Sequence, residues 1–97
     1  MSELVDNVEK HRYEISVDGR TAFTTYKIEN GVISFLHTEV PFEFRGKGVG
    51  SKLVRGELEA ARARGLKVIP RCEFVAGYIE KHPEFHDLLA PKQRIGT

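Results

Sequence analysis

Apolar and polar side chains alternate in three runs between residues 12 and 40. Tyr13, Ile15 and Val17 alternate with Arg12, Glu14 and Ser16, the period of two that turns one set of side chains to a buried face and the other to solvent. Ala22, Thr24, Tyr26 and Ile28 make a second run, and residues 32–40 a third. Asp18-Gly19 and Asn30-Gly31 separate the runs. Both dipeptides accept the positive φ angles of two-residue hairpin turns, so the pattern predicts a three-stranded antiparallel meander.

After Pro41 the period changes. A glycine-rich turn, Arg45-Gly46-Lys47-Gly48-Val49-Gly50-Ser51, runs into Val49, Leu53, Val54, Leu58 and Ala61 at helical spacing, with Lys52, Arg55, Glu59 and Arg62 on the other side. This predicts a helix over Val49–Ala63 that Gly65 stops. Leu66, Val68 and Ile69 form a short β-prone run closed by Pro70. Phe74, Val75, Tyr78 and Ile79 share one face of a second helix, predicted over Glu73–Lys81 and ended by His82-Pro83. Residues 91–97 read as a polar tail. A strand, a crossover helix and the next strand normally form a right-handed parallel unit. The expected fold class is therefore α/β, a mixed sheet of antiparallel hairpins plus a parallel β-α-β unit. The glycine turn falls at the carboxyl end of the third strand, where open α/β sheets bind ligands.

Length and charge narrow the classes. The 97 residues make one domain, 1–97, with a core over about residues 10–89 and short tails at both ends. The 15 Lys and Arg against 14 Asp and Glu leave a net charge of +1, which argues against a dedicated nucleic-acid binder. The longest strictly apolar stretches are a few residues, so neither a membrane span nor a signal-peptide core is expected, and an intracellular, cytoplasmic setting follows. The single Cys makes no internal disulfide and no multi-cysteine zinc site.

Gly46, Gly48 and Gly50 stand at every second position where a helix opens. Without Cβ atoms the backbone can approach a ligand closely, and successive amides can converge on an anion at the positive end of the helix dipole. Arg45, Lys47, Ser51 and Lys52 add cations and a hydroxyl, a local positive cluster in a nearly neutral chain. The expected guest is a phosphate or pyrophosphate. The nucleoside-triphosphate loop needs a Gly-Lys-Ser/Thr ending that residues 46–52 lack, and in G-x-G-x-x-G the third Gly would come one residue later.

The run Arg45-x-x-Gly48-x-Gly50 resembles the R/Q-x-x-G-x-G/A element of the GNAT superfamily of acyl-coenzyme A transferases. The resemblance extends to the minimal single-domain branch, a truncated GNAT-like fold. It is carried by Thr38-Glu39-Val40-Pro41, by Pro70-Arg71-Cys72-Glu73-Phe74-Val75 and by Tyr78-Ile79-x-x-His82-Pro83-Glu84-Phe85. Pro41 departs from the pattern by standing one residue further upstream than the usual Pro. The resemblance implies that acetyl-coenzyme A is the cosubstrate, with no metal. It further implies that amides from Gly46 to Ser51, including those of Lys47 and Val49, hold the pyrophosphate and that Arg45 is the motif's basic residue. Val40 would pair its backbone with the pantetheine arm, Phe44 would take the aromatic position before the Arg, and Lys52 and Arg55 would lie near the 3′-phosphate.

Transfer from a thioester needs a nucleophile, a proton acceptor and a donor for the leaving thiolate. In the resembled fold, the strand ending at Val40 and the one ending near Arg71 splay apart, so His37 and Cys72 are expected to face the acetyl group together. Cys72 precedes a helix N-terminus, a position that favours thiolates, and an imidazole such as that of His37 accepts a proton from the thiol or from the acceptor amine. Tyr78 is a candidate acid, because larger relatives use a Tyr on the corresponding helix. Against these stand plainer roles: a small buried Cys, a strand His paired with Glu39, and a core Tyr. His82 and His86 are four apart, but Pro83 breaks the helical geometry a metal would need. Arg55, Arg62 and Arg64 read as a solvated helix face.

These features predict an N-acetyltransferase acting on an unidentified amine, small molecule or protein, through an acetyl-cysteine or by direct attack. The alternative is a coenzyme A-binding module without efficient catalysis; a third reading is an interaction domain that kept the fold and lost the ligand. No nucleic-acid or membrane partner is expected, and the chain is expected to be a monomer or a weak homodimer.

Overall fold

A computed structural model describes residues 4–44 and 46–91; residues 1–3, Arg45 and residues 92–97, with most of the expected polar tail, lie outside the described residues. Five strands, β1 (Leu4–Asn7), β2 (Arg12–Val17), β3 (Arg20–Glu29), β4 (Val32–Glu39) and β5 (Lys67–Pro70), form one sheet in the order β1-β2-β3-β4-β5. Helix α1 (Val49–Ala63) joins β4 to β5, and α2 (Glu73–Lys81) follows. The first four strands pair antiparallel and β4 pairs with β5 in parallel. The two hairpins turn on Asp18-Gly19 and Asn30-Gly31, all four residues at positive φ, as the dipeptides predicted.

Both helices pack on one face of the sheet. Leu53, Val54, Leu58 and Ala61 of α1 and Val75 and Ile79 of α2 belong to one buried cluster with Ile15, Ala22, Ile33, Phe35 and Val68. Helix α1 ends in a Schellman motif. The Leu66 amide donates to Ala61 O and the Gly65 amide to Arg62 O, with Gly65 at φ 71°. Leu66 is consumed by that motif, so β5 begins one residue later than its apolar run predicts.

Two segments depart from the sequence reading. Leu4–Asn7, expected to be a tail, is an edge strand. Its anchors are side-chain contacts that periodicity cannot show: Leu4 packs at Gly56, where any Cβ would lie 3.1 Å from it, and Asp6 accepts a hydrogen bond from the Tyr26 hydroxyl at 2.6 Å. Burial, and then that carboxylate, raise the Tyr26 pKa. Residues Pro83–Leu88 form a 3-10 helix that buries Phe85 and Leu88. The arginines expected on a solvated face are exposed, and two of them also hold this segment. Arg55 reaches Glu84 at 2.9 Å and Arg62 reaches Asp87 at 2.8 Å, while Arg64 donates to the Tyr13 hydroxyl at 3.3 Å. His82 Nδ1 and His86 Nε2 pair with the carbonyls of Tyr78 and Ile79, at 2.7 and 3.0 Å. The i, i+4 histidines thus add partners at the end of α2, where the Ile79 carbonyl also accepts from the His82 amide. Among the described residues no cluster able to hold a metal occurs, and no helix is long and apolar enough to cross a membrane.

One irregularity positions the site. Thr25 pairs with His37 but Tyr26 pairs with Phe35, so β4 carries an extra residue at Leu36. Such a bulge reverses the in-and-out alternation beyond it. Ile33 and Phe35 point into the core, His37 points to the opposite face, and Thr38 returns to the helix side opposite Thr24.

Candidate active site

The pairing of β4 with β5 stops at Phe35 and Pro70. The amides of Arg71 and Cys72 both donate to Phe35 O at 3.0 Å, after which β5 turns away into α2 while β4 runs on to Glu39. The splay leaves a cleft of about 740 Å³, within the range of small-molecule sites, lined by Thr38, Val40 and Phe44, by Gly46, Gly48, Gly50 and Ser51, and by Phe74.

Its glycines act in two ways. Gly46 and Gly48 have φ of 78° and 74°, and nothing stands where their Cβ atoms would be; the left-handed backbone there disfavours other residues. Gly48 is the N-cap of α1 and offers no side chain to cap it, which leaves the opening of the helix suited to an anion. Gly50 has no such backbone constraint, but a Cβ on it would lie 2.8 Å from the Phe74 ring and 3.4 Å from Val40. Phe44 is buried and its carbonyl accepts from the Lys47 amide at 3.1 Å, pinning the turn to the core. Lys47, Ser51 and Lys52 are exposed around it, and Val49 is half-buried against the core. Arg45 lies outside the described residues. Phe74, expected on a buried helical face, is instead 46% exposed and forms a wall of the cleft. The dimensions, the capless helix start and the sparse side chains suit an elongated anionic ligand.

Cys72 is the N-cap residue of α2 and only 9% exposed. Its thiol donates to Thr38 Oγ1 at 3.3 Å, and Thr38 Oγ1 shares a hydrogen bond with Thr24 Oγ1 at 2.9 Å. His37 does not join them. It stands on the other face, exposed, 3.2 Å from Glu39 and edge-on to Phe23. The expected meeting of His37 and Cys72 is corrected by the bulge at Leu36. Tyr78 also stays apart, for its hydroxyl accepts from Arg55 Nε at 3.0 Å and its ring stacks on His82 at 3.9 Å. It lines a separate cleft between Ser51 and Lys81. Arg55, tied to Tyr78, Glu59 and Glu84, is not free beside the glycine turn.

Sequence reasoning missed three residues. Thr38 was hidden by the bulge. Thr24 was placed in the inward set but given no chemical role. Glu57 has no exposed surface and sits among Leu53, Val54, Leu58 and Ala61 on the buried stripe of α1. Its position, four residues from Leu53 and Ala61 and three from Val54, was the available signal.

A five-stranded mixed sheet opened between its parallel strands, with a glycine turn at the opening, is the frame of a GCN5-like acetyltransferase. The family model of GCN5-related N-acetyl-transferases matches residues 12–88, so the chain belongs to that family. The solution structure of a GCN5-like protein from Staphylococcus aureus superposes with a TM-score of 0.72 at 32% identity, covering 91% of this chain and 87% of that one. Protein NATD1 from Gallus gallus and from Mus musculus is 29% identical over 52 residues, 54% of this chain and 47% of the relative. The chain thus aligns with about half the length of these curated relatives.

Proposed function

We propose that the protein is an acetyl-coenzyme A-dependent N-acetyltransferase that passes the acetyl group to a primary amine through Cys72. The observation that carries this is the Thr38 hydroxyl, which lines the cleft and accepts the hydrogen bond of the Cys72 thiol. Acetyl-coenzyme A would supply an activated acetyl thioester. The amides of residues 46–51 and the Ser51 hydroxyl would hold the pyrophosphate, with Arg45, Lys47 and Lys52 as its cations. Val40, Phe44 and Phe74 would bound the pantetheine arm. Cys72 Sγ attacks the thioester carbon, the carbon–sulfur bond to coenzyme A breaks, and the departing sulfur takes the proton that Cys72 gives up. The amine nitrogen then attacks the acetylated Cys72, the carbon–Sγ bond breaks, the proton lost by the nitrogen passes to Sγ and restores the thiol, and the amide is released.

His37 is assigned no proton transfer at Cys72, because the bulge at Leu36 puts it on the face of the sheet opposite the thiol. It is exposed there beside Glu39, on a face that neither helix covers and where part of an extended or macromolecular acceptor could rest. Tyr78 is assigned no proton transfer, because its hydroxyl is already held by Arg55. A cytoplasmic setting fits a transferase that depends on one reduced thiol. A melting-temperature titration tests the first half of the proposal, since a ligand bound only by the native state raises it, by about 2.7 kcal/mol of stability at a hundredfold excess over Kd. No shift at saturating acetyl-coenzyme A would defeat it. Labelled acetyl-coenzyme A offered with a panel of small amines, polyamines and lysine-bearing proteins tests the second half; no labelled product with any amine would defeat that.

A further inference from the structure

The face of the sheet that neither helix covers carries a groove of about 390 Å³, within the range of ligand sites. No residue lines both this groove and the cleft of the glycine turn. Its floor is apolar at Leu36 of β4 and Ile69 of β5, with the Ser34 hydroxyl beside them. The parallel pairing of β4 with β5 ends at Phe35 and Pro70, so Leu36 and Arg71 are the first residues past the last pair. The groove therefore ends at the same splay that opens the cleft on the other face. Neighbouring residues of an extended chain point to opposite faces, and here Cys72 bonds Thr38 on the helix side while Arg71 lines the groove.

Arg71 is exposed and holds no anion. It is one of six arginines among the described residues, and the other five each form an ion pair with an Asp or a Glu. The strand carboxylates of the open face are already engaged, Glu14 by Arg12, Glu39 by His37 at 3.2 Å and Glu29 by Lys27 at 3.8 Å. Glu73, the acid nearest in sequence, lines the separate cleft beside Tyr78. Glu29 and Lys27 lie toward the groove's other end. Glu29 stands opposite Val32 and Val32 opposite Lys67, four residues before Arg71 and about 13 Å away along the strand. The groove is thus neutral at one end and positive at the other.

A planar guanidinium without an anion, next to an apolar floor, matches a carboxylate carried beside an apolar side chain. A groove that runs along a strand for about four residues suits an extended chain better than a compact one. We propose that this groove docks an acidic, extended peptide segment of the acceptor, with a glutamate or aspartate on Arg71 and a neighbouring apolar residue on Leu36 and Ile69. The link to an acceptor rests on the transferase reading above; the docking itself does not. A segment held here touches none of the reacting atoms, so docking lowers KM for the acceptor and leaves kcat alone.

Docking is tested without acetyl-coenzyme A, so its failure is distinct from a failure of the transferase reading. The probes are two hexapeptides capped at both ends, each with one lysine, that differ only in a glutamate or a glutamine between two leucines. In nitrogen–proton correlation spectra of the wild type, the glutamate peptide should shift the amides of Ser34, Leu36, Ile69 and Arg71, and the glutamine peptide should bind about tenfold more weakly. Arg71→Gln, which gives up no side-chain partner among the described residues, should keep the fold and lose that preference, and Arg71→Lys should keep part of it. A wild type that binds both peptides equally or neither, a preference that survives in Arg71→Gln, or shifts confined to residues 46–51 would overturn the proposal. So would groove shifts that grow with protein concentration in the absence of peptide, which would give the face to a second copy of the chain. If transfer is observed, KM should be about tenfold lower for the glutamate peptide than for the glutamine peptide with kcat unchanged, and Arg71→Gln should equalise the two; equal KM values in the wild type overturn the use of the groove in transfer.

Discussion

His37 and Thr38 are adjacent in sequence and stand in opposite environments. Thr38 faces the helices, beside a buried thiol, a buried hydroxyl and the cleft. His37 faces the other side of the sheet, exposed, with a carboxylate and an aromatic edge as neighbours. One extra residue at Leu36 makes the difference, because a slip of one position sends every following side chain to the other face. The pair teaches that chemistry on this strand is divided by the sheet. The proposed thioester chemistry lies on the Thr38 side, and His37 is accessible only from the open face.

The largest expected effect comes from the cleft that makes the Thr38 side special. Gly48→Val forces a β-branched residue to φ near 74° and puts a side chain at the helix opening, so the stabilisation by acetyl-coenzyme A should vanish in a melting titration. If the variant keeps the full shift, the glycine turn is not the binding site. Next comes Cys72→Ala, which should leave that shift intact while turnover falls by about a hundredfold or more. His37→Ala, from the other face, should leave turnover within about threefold of wild type and the pH profile of Cys72 alkylation by iodoacetamide untouched. A change in that profile would show that the two faces communicate, and the comparison would fail.

Smaller effects concern stability. Because burial raises the folded-state pKa of Glu57, its contribution is fully present below the unfolded value of about 4.3 and is lost as pH rises toward the folded value. The slope in that window should approach about 1.4 kcal/mol per pH unit. Urea unfolding at a series of pH values should show this decline in wild type, and Glu57→Gln should remove it. Smallest is Tyr78→Phe, which loses the hydrogen bond from Arg55 and should cost about 1 kcal/mol, with turnover within about threefold of wild type. A hundredfold loss of turnover would return Tyr78 to the reaction as an acid.

The fold was legible where local rules act alone. Asp18-Gly19 and Asn30-Gly31 dictated the hairpins, the spacing of Leu53, Val54, Leu58 and Ala61 dictated α1, and His82-Pro83 ended α2 where expected. β1 was not legible, since its four residues are too short for periodicity and are held by Gly56 and Tyr26, far along the chain. The shape of the glycine turn could be read because it lies in the backbone, left-handed at Gly46 and Gly48, which glycine spacing reports directly. The environment of Cys72 could not be read. It depends on a bulge without a sequence signature, which turns Thr38 toward the thiol.

The claim on which the rest turns is that Cys72, hydrogen-bonded to the cleft residue Thr38, receives the acetyl group. Intact-mass measurement of the protein mixed with acetyl-coenzyme A, without an amine acceptor, tests it most directly. The account predicts one added acetyl group in wild type and in His37→Ala and none in Cys72→Ala. A chain that binds acetyl-coenzyme A yet gains no mass, or an adduct that survives Cys72→Ala, would contradict it.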